Sequence, residues 1–479
     1  MCRLRTAGLP ALGTKCTLLL LALGYLPMLL QLRGVKWMAL PLLIAAGFAA
    51  STNLRILDLP LGAEVAAYRE GVMSAVAVVR TPDGHRSLRV NNRLQMGGTA
   101  AALAERRQAH IPLLLHHDPK TALFLGPGTG ITLGAAVAHR GLSTEGVELI
   151  PEVLELMRHF EPENNGPLPK PGLRLHAADA RRFIRTATNR YDVIVADLFH
   201  PSQDGAGFLY TREHFQAARA RLNERGLFCQ WLPLHQLDEF VLRSIVRTFM
   251  DTFSDTHAFL LHFNVDIPAL ALIGSPDPLR LPPDWFDRRL EHAELRAHLR
   301  DAGLDKPLNL LGCLVAGPEE LTRFAGEAPA STDDHPVVLF AAPRFSIRRD
   351  APSHELLLTL LEQCPAEPGK FVGTVLGGDA TLAANLSAFI AARDIYLKGL
   401  VEESAGKLPL AMDAYLESAR RSLFFTPGYA RMVTIIQVLA RTDSEQALKL
   451  FWRLEEAQPA QSLGRKLLGP LFDAPAENK

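Results

Sequence analysis

The sequence predicts an α/β protein built on a parallel, doubly wound sheet. Five short apolar runs alternate with amphipathic stretches between Thr121 and Leu234. A burst of glycines follows the first run, and the acids Glu148, Asp179 and Asp197 close the next three. Buried strands that recur with a helix between each pair call for a sheet covered on both faces.

The elements follow in order. "SAVAVVRTPDGHRSLRVNN" (Ser74–Asn92) alternates polar and apolar residues on both sides of Pro82-Asp83-Gly84, which predicts a β-hairpin. A helix over Ala100–His116 leads to the first buried strand, "TALFLG", and the helix "ITLGAAVAHRG" comes next. "STEGVELI", "GLRLHAADA", "YDVIVADLF" and "GLFCQWLPL" supply four more strands, with helices "EVLELMRHF", "RRFIRTAT" and "REHFQAARARLNERG" between them. The amphipathic "DEFVLRSIVRTFMDTF" then precedes a closing strand pair, "HAFLLHFN" and "PALALIGS". "STDDHPVVLFAAPRF" (Ser331–Phe345) reads as a final strand-like run. Beyond Arg349 the pattern is helical, and "RDIYLKGLVEESAGKLPLAMDAYLESARRS" has the spacing of paired-helix repeats of the tetratricopeptide kind or of a plain helical bundle. The expected organisation is 1–60 an apolar N-terminal segment, 61–100 a small β region, 101–346 the α/β domain and 347–479 a helical region.

Composition excludes several classes of function. Lys plus Arg equals Asp plus Glu, 51 against 51, so no basic excess points to nucleic acid. The five cysteines are scattered and form no CxxC, which argues against a disulfide framework or a zinc site and for a reducing compartment. The N-terminus is apolar: Cys16–Leu32 carries no charge, and Trp37–Ser51 follows after "RGVK". A spanning helix needs ~20 apolar residues, with ~17 as the lower limit. A two-helix membrane hairpin is expected, with Arg3, Arg5 and Lys15 before it and Arg55 and Arg69 after it on the cytoplasmic side. A signal peptide and a buried helical pair are the competing readings.

In open α/β sheets, ligands bind beyond the carboxyl ends of the strands. The turn "GPGTG" places Gly126, Gly128 and Gly130 there, spaced GxGxG rather than GxGxxG, which favours a nucleoside without phosphates, such as an adenosylated sulfonium. Glu148 stands where a carboxylate accepts from both ribose hydroxyls, and otherwise is a solvated strand-end acid. Asp179 can meet the adenine amino group, or cap the helix that follows. Asp197 ends "VIVAD", where an acid orients an incoming amine and takes its proton. An alkylamine has a pKa near ~10 and is protonated at neutral pH, so general-base help matters.

These residues resemble the spermidine synthase family of aminopropyltransferases. The resemblance runs from about Tyr68 to Phe345 through "VNNRLQMGGT", "HIPLLLH", "LFLGPGTG", "GVELIPEV", "HAADARRF", "YDVIVADLFHP" and "FLYTREHFQAARARLNERGLFCQWLPL". "TDDHPVVLFAAPR" and the apolar N-terminus are similar to the membrane-attached bacterial branch. The resemblance implies a small β domain before a methyltransferase-like Rossmann domain. It also implies transfer of an aminopropyl group from decarboxylated S-adenosylmethionine, as co-substrate, to putrescine or another polyamine, leaving methylthioadenosine. By the same resemblance Gln95 contacts the nucleoside, Glu148 binds ribose, Asp179 meets adenine and Asp197 is the catalytic acid, with no metal. His200, Tyr210 and Trp231 are placed on the acceptor side, with His235 and Gln236 beyond strand five.

The chain also departs from that family. The acid before the turn's last glycine is here Thr129, a Tyr-His pair is here Ala104 and Glu105, and a second acid three residues after Asp197 is here His200. Losing a carboxylate contact to a diamine removes ~1.5–3 kcal/mol. Two alternatives therefore stand beside aminopropyl transfer: an S-adenosylmethionine-dependent methyltransferase, and a non-catalytic nucleoside-binding protein. The expected location is the cell inner membrane with the catalytic domain in the cytoplasm. A homodimer and a protein partner on the C-terminal helices complete the expectations.

Overall fold

The structure is a computed structural model that describes residues 57–92, 94–166, 168–203, 205–347 and 352–473, with isolated positions between 16 and 47. Four antiparallel strands come first: β1 (Glu64–Glu70), β2 (Ala75–Arg80), β3 (Arg86–Val90) and β4 (Leu94–Gly98), in that order across the sheet. The expected hairpin is β2–β3. The region is a four-stranded sheet rather than a hairpin alone, because β1 pairs with β2 and β4 with β3; alternation on β1 and β4 is too weak to read from the sequence. Val76, Val78, Leu88 and Val90 face one way and pack on Ile131, Val153, Leu156 and Phe160 of the larger domain.

Helix α1 (Ala102–Leu115) connects the two sheets. The chain then alternates: β5 (Thr121–Leu125), α2 (Ile131–Val137), β6 (Ser143–Glu148), α3 (Pro151–Leu156), β7 (Leu173–Ala177), α4 (Ala180–Thr186) and β8 (Tyr191–Ala196). It continues through α5 (Arg212–Arg219), β9 (Leu222–Pro233), α6 (Glu239–Met250), β10 (Asp255–Leu260) and β11 (Ala269–Ser275). Three short helices follow, α7 (Trp285–Leu290), α8 (Ala293–Asp301) and α9 (Pro307–Leu311), then β12 (Leu314–Ala316), α10 (Pro318–Ala325) and α11 (Val337–Ile347). The large sheet has the order β12-β10-β11-β9-β8-β5-β6-β7. Its pairs from β9 through β7 are parallel, while β11 runs antiparallel between β9 and β10.

Both faces of this sheet are covered, which is why its strands are apolar runs without alternation. Ala122, Phe124, Val193 and Val195 point into one core, and Leu123, Leu125, Ile194 and Ala196 into the other. Two expectations change. Helix α5 ends at Arg219 rather than near Gly226, and residues from Leu222 already pair with β8. The run expected as a closing strand near Phe345 is helix α11, which starts directly after Pro336; a short apolar run does not by itself distinguish strand from buried helix.

The C-terminal region is helical as expected: α12 (Glu355–Gln363), α13 (Pro368–Val375), α14 (Ala380–Ser404), α15 (Leu408–Arg421), α16 (Pro427–Leu439), α17 (Ser444–Ala457) and α18 (Leu463–Asp473). Leu356, Leu357 and Leu360 extend one core of the α/β domain, and Phe371, Val372, Leu386 and Ile390 extend the other. Helices α15 to α18 enclose a separate cluster around Tyr415, Met432 and Leu454. No helix among the described residues is long and apolar enough to cross a membrane. The expected hairpin lies almost entirely outside the described residues; Leu20, Leu21, Leu23 and Ile44, which are described, are helical and exposed.

Arg393 of α14 joins the helical region to the sheet. It is buried, donates to the carbonyls of Gly312 (2.8 Å) and Leu314 (2.6 Å), and pairs with Asp394 (2.7 Å). Arg393→Met keeps the volume but leaves two buried carbonyls without donors. A loss of about 3 kcal/mol is expected, read as a lower urea midpoint.

Candidate active site at the switch point of the sheet

Two parallel ladders set the site. Leu125 pairs with Val147 of β6 and with Ala196 of β8, so Gly126, Glu148 and Asp197 emerge together at one rim. Gly126 N donates to Val147 O (2.9 Å) and Asp197 N donates to Leu125 O (3.1 Å), which carries the register past the strand ends. The strand order reverses here, since β5 leads to β6 and β7 on one side and β8 opens the other. Such a reversal leaves a crevice beyond the strands.

The crevice opens into a cavity of about 1330 Å³ lined by Gln95, Gly126, Gly128, Glu148, Asp179 and Asp197, among others. A pocket for one drug-sized ligand occupies ~300–1,000 Å³, so there is room for two molecules side by side. Gly126 has φ +79°, and a Cβ there would stand 2.7 Å from the Phe199 ring. Gly130 does not line the cavity. It stands behind the turn, where φ +80° lets the chain enter α2.

Glu148 is buried. Its Oε2 accepts from Gly128 N (3.3 Å) and its Oε1 from Ile150 N (3.1 Å), while burial raises its pKa above the usual carboxylate value. Asp179 is exposed at the cavity mouth and caps α4, with Oδ1 accepting from Arg182 N (2.6 Å). Asp197 accepts at Oδ1 from Leu198 N (2.6 Å) and from Gln108 Nε2 (2.8 Å). Burial pushes its pKa up to about 7 against those two donors, and the nearby Glu148 adds to the rise.

The residue that aims Asp197 is Gln108 of α1. Its side-chain amide is held at both ends, Oε1 accepting from the Thr132 hydroxyl (3.3 Å) and Nε2 donating to Asp197, and Trp231 Nε1 donates to its backbone carbonyl (3.2 Å). One turn earlier on the same helix face, Glu105 also enters the cavity, accepting from Gly98 N (2.8 Å) and from the Thr129 hydroxyl. Burial raises its pKa to about 8, and Asp197 contributes. The sequence reading assigned no role in the site to either residue. The available signal was an i, i+3 polar pair on a helix that otherwise turns apolar toward Leu115.

On the far side, His200 Nδ1–H donates to Gln236 Oε1 (2.8 Å), and burial lowers the ring's pKa, so the imidazole is neutral with Nε2 as its acceptor. His235 and His262 line the same end and are also depressed by burial, His262 to about 4. Tyr210 and Trp231, expected there, do not line the cavity. Both are fully buried; the Tyr210 hydroxyl donates to Phe199 O (2.6 Å), and Trp231 turns its ring toward α1. They support the site from behind.

Residues 104–263 match the spermine/spermidine synthase domain. Curated relatives agree. The polyamine aminopropyltransferase of Nitrosomonas europaea is 26% identical over 232 residues, 47% of this chain and 71% of that protein. Polyamine aminopropyltransferase 2 of Pseudomonas aeruginosa is 26% identical over 223 residues, 46% of this chain and 62% of that protein. The polyamine aminopropyltransferase of Methanocaldococcus jannaschii is 27% identical over 188 residues, 38% of this chain and 63% of that protein. The chain thus spans about two thirds of the length of these relatives. The spermidine synthase from Thermotoga maritima aligns with a TM-score of 0.39 and 18% identity over 62% of this chain and 87% of that one. The family match and its relatives support the spermidine synthase family for this α/β domain.

Because the Tyr210 hydroxyl meets Phe199 O and does not line the cavity, Tyr210→Phe is expected to cost about 1 kcal/mol of stability and to leave the affinity for methylthioadenosine unchanged. Thermal unfolding and calorimetric titration measure the two effects separately.

Proposed function

We propose that the spermine/spermidine synthase domain is an aminopropyltransferase that uses decarboxylated S-adenosylmethionine as donor and a polyamine as acceptor. The observation that carries this reading is the common rim of Gly126, Glu148 and Asp197 in a cavity roomy enough for two substrates. The adenosyl group lies on the turn from Gly126 to Gly128, its ribose hydroxyls donate to Glu148, and its amino group reaches the Asp179 end. The acceptor enters from the side of His200 and His235.

Asp197 takes a proton from the acceptor's ammonium, holds the freed amine by one remaining N–H and points its lone pair at the methylene next to sulfur. The N–C bond forms as the C–S bond breaks, and the C–S electron pair stays on sulfur, leaving neutral methylthioadenosine. The new nitrogen keeps its positive charge as an ammonium, and the proton taken up by Asp197 passes to water. The enzyme supplies alignment and a base, and a base with a pKa near the working pH transfers protons best.

Purified protein given decarboxylated S-adenosylmethionine and putrescine or a longer polyamine is expected to release methylthioadenosine. Release of S-adenosylhomocysteine from intact S-adenosylmethionine instead would make it a methyltransferase. Asp197→Asn is expected to bind methylthioadenosine normally and to lose ~10²–10⁴-fold in kcat. The pH profile follows from the sign of the shift: below pH about 7 the Asp197 carboxyl is protonated and cannot accept a proton. kcat/KM is therefore expected to fall about tenfold per unit on that side; a flat profile down to pH 5 would assign the base elsewhere.

The apolar N-terminus is proposed to hold this domain at the inner membrane, facing the cytoplasm. The support is the charge-free run Cys16–Leu32 and the exposure of Leu20, Leu21 and Leu23. The full chain is expected to sediment with membranes and to be released by detergent but not by high salt. Recovery in the supernatant without detergent would contradict it.

A further inference from the structure

Glu105 is an acid inside the cavity that the proposed reaction has not used. Its carboxyl accepts, among the described residues, only from neutral donors, the Gly98 amide and the Thr129 hydroxyl. Among the described residues it makes no ion pair. The surrounding backbone is shaped to admit it: Gly97 has φ +94°, and a Cβ there would collide with Glu105 Oε1. Thr129 belongs to the nucleoside-binding turn itself, so this carboxyl touches the turn from the side of α1. Asp197 acts on it electrostatically across the same cavity. Glu105 is half-buried; a partly desolvated carboxyl without a cationic partner is costly, and one that lines a cavity can be compensated by a cation that enters.

We infer that Glu105 binds the primary ammonium of the donor's aminopropyl arm and thereby selects the decarboxylated donor over intact S-adenosylmethionine. This rests on the aminopropyl-transfer reading and deepens it. With the ribose at Glu148 and Asp197 given to the acceptor nitrogen, Glu105 is the remaining acid beside the turn. The arm that leaves sulfur ends in an ammonium in the decarboxylated donor, and its partner is a carboxylate. In intact S-adenosylmethionine the same arm carries an α-carboxylate as well, which would stand beside Glu105 as a like charge. Thr129 holds the carboxyl in place by donating to it, so the residue within the turn serves as a positioning group and the acid comes from α1.

The test is calorimetric titration of the full-length protein and of Glu105→Gln with decarboxylated S-adenosylmethionine, intact S-adenosylmethionine and methylthioadenosine. A charged hydrogen bond contributes ~1.5–3 kcal/mol, so Glu105→Gln is expected to weaken the decarboxylated donor by about 10- to 100-fold. It should leave methylthioadenosine, which lacks the arm, within twofold of the parent and reduce the preference for the decarboxylated donor. Since Thr129 and Glu105 touch, Thr129→Asp in the Glu105→Gln background is expected to restore much of the lost affinity, and it separates loss of the acid from damage to the fold. Unchanged affinity for the decarboxylated donor in Glu105→Gln, with the parent binding both ligands, overturns this inference and leaves aminopropyl transfer intact. A parent protein that binds neither ligand overturns both.

Discussion

The constraint on which this site depends is the gathering of three partly desolvated carboxyl groups, Glu148 buried and Glu105 and Asp197 half-buried, around one cavity. Glu105, Glu148 and Asp197 each accept from amides, a hydroxyl or backbone N–H groups. Burial pushes all three upward, Asp197 to about 7 and Glu105 to about 8. Neutral donors hold a carboxylate's geometry without cancelling its charge, so the cavity is an unfavourable place for negative charge until a cation arrives. A sulfonium with an ammonium arm is such a cation. The same desolvation that makes the empty site costly thus favours a cationic donor over its neutral product.

That arrangement is produced by the fold through strand register. Moving β8 by one residue against β5 would turn Asp197 to the opposite face of the sheet, and the two apolar cores prevent it. Leu123 and Leu125 of β5 and Ile194 and Ala196 of β8 face one core, while Ala122, Phe124, Val193 and Val195 face the other. Helix α1 adds the second half of the site. It is packed so deeply that Arg107 is buried, donating to the carbonyls of Leu261 and Ala302 and to the Cys313 sulfur. Its neighbours on the helix, Glu105 and Gln108, are thereby held over the strand ends.

Much of this was legible in the sequence, for a definite reason. Strand-end residues follow from where an apolar run stops, so Gly126, Glu148, Asp179 and Asp197 could be located by counting. The parallel order could be inferred from the alternation of runs and helices. Residues that reach the site from a separate element could not. Glu105 and Gln108 enter from α1, whose orientation over the sheet is a tertiary fact. Tyr210 and Trp231 illustrate the converse: the family resemblance suggested contact with the acceptor, yet packing turns both rings away from the cavity. The run after Pro336 was ambiguous because Val-Val-Leu-Phe-Ala-Ala fits a strand or a buried helix equally well.

The central claim is that the cavity takes up a cation and gives up protons in exchange. It is tested most directly by titrating decarboxylated S-adenosylmethionine into the protein at pH 7 in buffers of different ionisation enthalpy. With Asp197 near 7 and Glu105 near 8 before binding, the expected result is release of on the order of one proton per donor bound. Uncharged methylthioadenosine should release none. Donor binding with an enthalpy independent of the buffer would contradict the account.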